Sequence, residues 1–183
     1  MINPNDRVVV VGNGGSILNS EQGWAIDNYS QIVRFNNYKI QGYEKHVGTR
    51  TTIWFTCNCN KSKVRQKYQQ VYFHSWEWDK TRCECWHVIK EYHKDVKEVP
   101  KGVCMYLGEQ IPEYGHIAFS TGLIAITILL QQFNKLDLIG FDWHLDKYPH
   151  HYGDNEVRGT LHNPKMEYKY LQTLESAGKI KFI

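Results

Sequence analysis

The last third of the chain holds side chains that could move a proton. His162 stands directly before Asn163-Pro164, and Glu167 follows in the spacing H-x4-E. Asn163 is a good helix N-cap and Pro164 a good first helical residue, so His162 ends a loop where a helix begins. A histidine changes charge near neutral pH, and one placed there could take a proton from a hydroxyl. Glu167, about one turn into that helix, leans back towards the N-terminus and reads as support, orienting the loop or capping free N–H groups. His150, His151 and Tyr152 lie in the same polar loop, Asp142 to His162, which is long for a structural connection. They are surface residues or donors to a developing negative charge. His144, His150, His151 and His162 also suggest a metal site, but neither carboxylate nor cysteine completes a familiar ligand pattern, and no metal is expected.

Gly12-Asn13-Gly14-Gly15-Ser16 follows an apolar run and could let the backbone approach a phosphate or sugar. It is not a dinucleotide fingerprint. The third glycine of G-x-G-x-x-G is Ile17, and the next strand ends in Arg34 and Asn36 without an acid for ribose hydroxyls. Asn13 and Asn36 are short amides at strand ends, either turn formers or ligand donors. Ser120-Thr121-Gly122 opens an apolar segment, where it caps a helix, offers free N–H groups to an anion, or does both.

The elements that must position these residues alternate. Arg7 to Val11 reads as a strand buried on both faces, which implies a parallel sheet. A helix over Ser20–Asp27 and a strand over Gln31–Phe35 complete a βαβ unit. Thr51–Phe55, Val71–His74, Val103–Leu107 and Leu136–Phe141 are further expected strands. Helices are expected over Thr81–Tyr92, from Ser120 to about Gln132, and from Pro164 to Gly178. Lys179–Ile183 can close the sheet at an edge. The class is α/β, a single domain over residues 1–183 with a mainly parallel twisted sheet flanked by helices, without repeat or linker.

Composition narrows the function. A chain of 183 residues with 42% hydrophobic residues can bury a real core, so a disordered module is excluded. The net charge of +3 comes from scattered Lys and Arg, which gives no stripe for a phosphate backbone and no nucleic-acid partner. No run is long and apolar enough to span a membrane, and the first residues do not form a signal peptide, so a cytoplasmic location is expected. The five cysteines, an odd number, fit free thiols. Cys57/Cys59 and Cys83/Cys85 form C-x-C pairs that could bind zinc, but with poorer spacing than C-x2–4-C.

Read onward from Val8, the blocks V-V-V-V-G-N-G-G-S-I-L, I-D-N-Y, V-R-F-N-N and G-Y-E-K-H-V-G-T-R-T-T resemble the large sialyl motif of glycosyltransferase family 29, the animal-type sialyltransferases. Phe119-Ser120-Thr121-Gly122-Leu123 with Ile139-Gly140-Phe141 is similar to the small motif, His150-His151-Tyr152-Gly153-Asp154 to the third, and His162 to Glu167 to the very small motif. The blocks occur in family order and span about residues 7 to 175.

The resemblance implies the sialyltransferase variant of the GT-A, Rossmann-like fold and an inverting, metal-independent transfer without a cofactor. A CMP-activated acidic sugar, CMP-sialic acid or CMP-Kdo, would be donor, and an oligosaccharide or glycoconjugate the acceptor. His162 would be the general base. His151, or His150, would stabilise the departing CMP phosphate, with Tyr152 on the same oxygen. Gly12, Asn13, Gly14, Asn36, Ser120, Thr121 and Gly122 would hold the donor, and Glu167 would support. The family's disulfide between large and small motifs and its membrane anchor have no counterpart here, which suggests a short soluble microbial or viral relative. A catalytically inactive nucleotide- or glycan-binding protein of this fold and a zinc-stabilised interaction module are the alternatives.

Overall fold

Uninterrupted β-branched runs set the frame. In the computed structural model, which describes residues 3–75, 84–114, 118–142, 150–153 and 162–183, β1 (Val8–Val11) is buried along its whole length. It lies between β2 (Gln31–Phe35) and β6 (Leu136–Ile139), both parallel to it, with Val9 opposite Ile32 on one side and Asp137 on the other. β3 (Ile53–Thr56), β4 (Gln70–Phe73) and β5 (Lys97–Glu98) extend the sheet beyond β2, and β7 (Ile180–Phe182) lies beyond β6. The order is β5-β4-β3-β2-β1-β6-β7, and all pairings between these strands are parallel. The expected α/β architecture is thus present, with the last strand at an edge.

Strand periodicity assigns the faces. Val8 and Val10 pack under α5 (Lys101–Gln110), α6 (Thr121–Leu129) and α7 (Pro164–Ser176), in one cluster with Leu107, Leu123 and Leu171. Val9 and Val11 point the other way, to Ile17 of a 3-10 turn (Gly15–Asn19), Ile26 of α1 (Gly23–Asp27) and Val47 of α2 (Glu44–Val47). Further along that face, Trp54, Val71 and Phe73 pack with Val64 of α3 (Lys61–Val64) and Ile89 of α4 (Glu84–Tyr92). Helices on both faces explain why the strands read as continuous apolar runs.

Val103–Leu107 is a correction, since it is helical rather than a strand. Val103 and Leu107, four residues apart, are the buried face of α5, while Met105 is 69% exposed. A five-residue apolar run has no period of its own, and the i, i+4 pair decides. The helix expected from Ser20 is shorter, since the 3-10 turn takes Gly15–Asn19 and α1 starts at Gly23. α4 begins at Glu84, and the expected Thr81–Cys83 lie outside the described residues, as do 143–149 and 154–161 of the histidine-rich loop, with His144 and Asp154. α6 ends at Leu129 and is buried almost all round. Asn163 caps α7 through Met166 N–H, Pro164 is its first residue and Gly178 closes it at φ 70. Among the described residues no helix is long and apolar enough to cross a membrane.

Candidate active site

Strand order reverses between β1 and β6, and in a parallel sheet the crevice at the carboxyl ends of such a pair is where ligands bind. The glycine turn emerges there. Gly12 N–H donates to Ile139 O and Gly14 N–H to Gly140 O, each at 2.8 Å. A Cβ on Gly12 would stand 2.2 Å from Gly140 O, and one on Gly14 2.5 Å from Asp142 Oδ2. These glycines therefore admit the segment after β6 as well as any ligand. Asp142, 3% exposed, fixes the turn by accepting from Ser16 N–H at 3.0 Å and from the Ser16 hydroxyl.

The third motif closes on the same turn. His150 bridges Gly14, and His151 N–H donates to Asn13 O at 2.8 Å. His151 is buried, with Nε2 2.9 Å from Lys39 O and Nδ1 3.2 Å from Asn13 O. Two carbonyls favour a doubly protonated ring, but burial pushes its pKa below the ordinary value, reinforced by Arg34 and His150 and opposed by those carbonyls. We take the ring as neutral, donating through the shorter Nε2 contact, since Asn13 O already accepts a main-chain N–H. His151 thus ties the glycine turn to the segment after β2. Tyr152 packs against both histidines, and Lys39 Nζ lies 5.9 Å above its ring.

Asn36 follows β2 in the left-handed region, φ 46, which a short amide tolerates. Its Oδ1 accepts from Cys57 N–H at 2.9 Å and faces the Cys57 thiol at 3.4 Å. An N–H can only donate, so the carboxamide oxygen is identified and Nδ2 is the group left to offer. Arg34, two residues earlier, is 2% exposed and binds Val47 O, Arg50 O and Thr51 Oγ1. Asp27 takes the N–H groups of Thr49 and Arg50. Much of the large motif consequently holds its own segments together around β2.

α6 and α7 each lead into a parallel strand, so their N-termini lie at the carboxyl edge of the sheet. They meet through Glu167, which is fully buried and accepts from Ser120 N–H at 2.8 Å, Ser120 Oγ at 2.5 Å and Tyr114 Oη at 2.6 Å. Glu167 caps α6, not its own helix. Ser120 Oγ in turn accepts Leu123 N–H at 3.1 Å. The N–H groups of Thr121 and Gly122, in the first turn of α6, have no acceptor within their own helix. His162 Nδ1 is 2.8 Å from Ala118 O. A carbonyl only accepts, so Nδ1 carries a proton.

The structure thus gathers the predicted residues in two groups along one sheet edge. Gly12, Asn13, Gly14, His150, His151 and Tyr152 form one, beside Asn36; Ser120, Thr121, Gly122, His162 and Glu167 form the other. Sequence reasoning missed Asp142, Lys39, Ala118 and Tyr114. Asp142 directly follows Phe141 at a strand end, a usable signal, whereas Lys39 and Ala118 act through main-chain carbonyls and leave no trace in residue type. Cys57, Cys59, Cys85 and Cys104 are thiols outside any disulfide, and among the described residues no three His, Cys, Asp or Glu side chains converge on a metal position. Cys83 lies outside those residues.

Comparison with known proteins follows the same lines. The model of glycosyltransferase family 29 (sialyltransferase) matches residues 3–101. Lactosylceramide alpha-2,3-sialyltransferase of Rattus norvegicus is 26% identical, over 96% of this chain and 56% of its own. A beta-1,6-galactosyltransferase of Arabidopsis thaliana is also 26% identical, over 92% and 50%. The chain spans about half the length of the curated relatives it matches. The crystal structure of a mammalian sialyltransferase superposes with a TM-score of 0.74 at 20% identity, covering 98% of this chain and 69% of that one, which establishes a shared fold.

Proposed function

Because the chain belongs to glycosyltransferase family 29, we propose that residues 1–183 act as one catalytic domain that moves an acidic sugar from its CMP-activated form to a glycan hydroxyl. The tautomer of His162 carries this reading. With Nδ1–H held on Ala118 O, Nε2 is the ring nitrogen assigned the acceptor's proton, at the end of the loop that leads into α7. Nε2 takes the acceptor's hydroxyl proton as its oxygen attacks the anomeric carbon. The bond from that carbon to the phosphate oxygen breaks, and its electron pair leaves with CMP. A single displacement inverts the anomeric configuration.

The first-turn N–H groups of Thr121 and Gly122 and the dipole of α6 suit the departing phosphate. Asn36 Nδ2, Asn13 and the backbone at Gly12 and Gly14 suit the nucleotide. His151, engaged with two main-chain carbonyls, serves the donor by holding Asn13, and direct contact with the phosphate is assigned to His150 and Tyr152. Neither metal nor cofactor enters the scheme. CMP-sialic acid is the first donor to test, and CMP-Kdo shares its nucleotide and carboxylate. The equally similar relative named as a galactosyltransferase adds a nucleotide-activated galactose to the panel.

Nucleotide release from CMP-sialic acid, CMP-Kdo and UDP-galactose, with a glycan acceptor panel, tests the proposal in the native protein and in His162→Ala. Release of CMP that falls by on the order of 10² or more in the variant is expected for loss of a general base. Release from UDP-galactose alone would replace the donor, and CMP binding without turnover would identify an inactive binding protein of this fold.

A further inference from the structure

Tyr114 lies outside every block that carried the resemblance, yet it is the meeting point of the second group. It is 5% exposed, and its ring packs on Phe119 with centroids 4.2 Å apart. Its hydroxyl touches Glu167 Oε1 at 2.6 Å and Ala118 O at 3.0 Å, and accepts Asn163 N–H at 3.0 Å. Its carbonyl accepts Asn163 Nδ2 at 3.1 Å. A hydroxyl has one proton, and the carboxylate, closer and charged, takes it. Ala118 O is then left to accept from His162 Nδ1.

We propose that Tyr114 is a positioning residue for the transfer step: by accepting the N–H of the His162–Asn163 peptide it keeps the His162 imidazole where its Nδ1–H meets Ala118 O, and through Glu167 it ties that peptide to the Ser120 end of α6. This rests on the reading of His162 as the base. The peptide unit joining His162 to Asn163 presents its N–H to the Tyr114 hydroxyl, and the His162 ring is held on a carbonyl that the same hydroxyl touches. The backbone beside the histidine is therefore fixed on the Tyr114 hydroxyl and its ring on the neighbouring Ala118 O. Burial, then the charge of Glu167, raise the pKa of Tyr114, so its proton stays in place wherever the enzyme works.

Tyr114→Phe removes the hydroxyl and keeps the ring on Phe119. The test compares native protein and variant in transfer kinetics, CMP affinity, thermal stability and histidine 15N NMR, with the His162 resonances assigned by their loss in His162→Ala. Expected is a kcat lower by on the order of 10-fold, as a modest misplacement of a catalytic group gives, with CMP affinity kept within about twofold. The His162 ring should pass from a single Nδ1–H tautomer to a mixture. An unchanged kcat with an unchanged tautomer overturns the proposal. So does a fall of CMP affinity and thermal stability in step with kcat, which is the mark of general loosening. Should the native protein release no nucleotide from any donor, the assignment of the base fails in the native protein itself, and the tautomer still decides whether Tyr114 holds His162.

Discussion

Glu167 and Ser120 sit on different helices, and the carboxylate of the first takes both the main-chain N–H and the hydroxyl of the second. The junction is fully buried on the Glu167 side, so each donor lost there leaves a charge without its partner. Glu167→Gln and Ser120→Ala should each destabilise the protein by about 1–3 kcal/mol, the range for an unsatisfied buried group or a lost cap. Because both remove one junction, the double variant should cost clearly less than the sum. Urea denaturation midpoints of the four proteins measure this, and strict additivity would refute the coupling.

Gly12→Ala places a methyl group 2.2 Å from Gly140 O, a backbone atom that cannot rotate away. The substitution should cost about 1–3 kcal/mol or more, and CMP binding should weaken because the turn carrying Asn13 is displaced. A variant with native melting temperature and native CMP affinity would show that β1 and the segment after β6 can separate freely.

Asn36→Asp keeps the oxygen that accepts from Cys57 N–H and tolerates the left-handed backbone, but replaces the Nδ2 donor by a second acceptor. Stability should change little, and CMP affinity should fall by on the order of 10-fold, the equivalent of one good hydrogen bond. Calorimetric titration with CMP checks it. Unchanged affinity would remove Asn36 from the nucleotide site.

Burial keeps the folded-state pKa of His151 below its ordinary value, with Arg34 and His150 adding to the effect. The unfolded chain protonates this histidine near pH 6.5 and the folded chain only at lower pH. Between those points the unfolded state binds more protons, so the contribution is fully present above about pH 6.5 and is lost as pH falls. His151→Gln, which can still donate to Lys39 O, should show a smaller drop in melting temperature between pH 7.5 and 5.5 than the native protein. An equal or larger drop would place the acid sensitivity elsewhere.

The frame was legible where residue type and period agree. Val8–Val11 and Gln31–Phe35 are β-branched and bounded by turn formers, and Asn163-Pro164 and Gly178 punctuate α7 as capping chemistry requires. Val103–Leu107 misled because a short apolar run fits strand and helix alike. At the site, the spacing from His162 to Glu167 was visible, but the partner of Glu167 was not, since Ser120 lies 47 residues away and no local pattern records such a pairing. Tyr114 was invisible for the same reason, a tyrosine in a loop whose importance comes from what surrounds it.

The placing of β6 beside β1 also orders events in time. Ser16 and its partner Asp142 are separated by 126 residues, so a growing chain makes β1 to β5 while one edge of β1 still waits for its neighbour. An open apolar edge is a hazard for aggregation, and late, non-local pairing is slow. The step that covers this edge is the same step that shapes the crevice, so a chain caught before it would be both sticky and without the proposed nucleotide site. CMP should then speed productive refolding only after β6 has been supplied, and chains truncated before Leu136 should be insensitive to it.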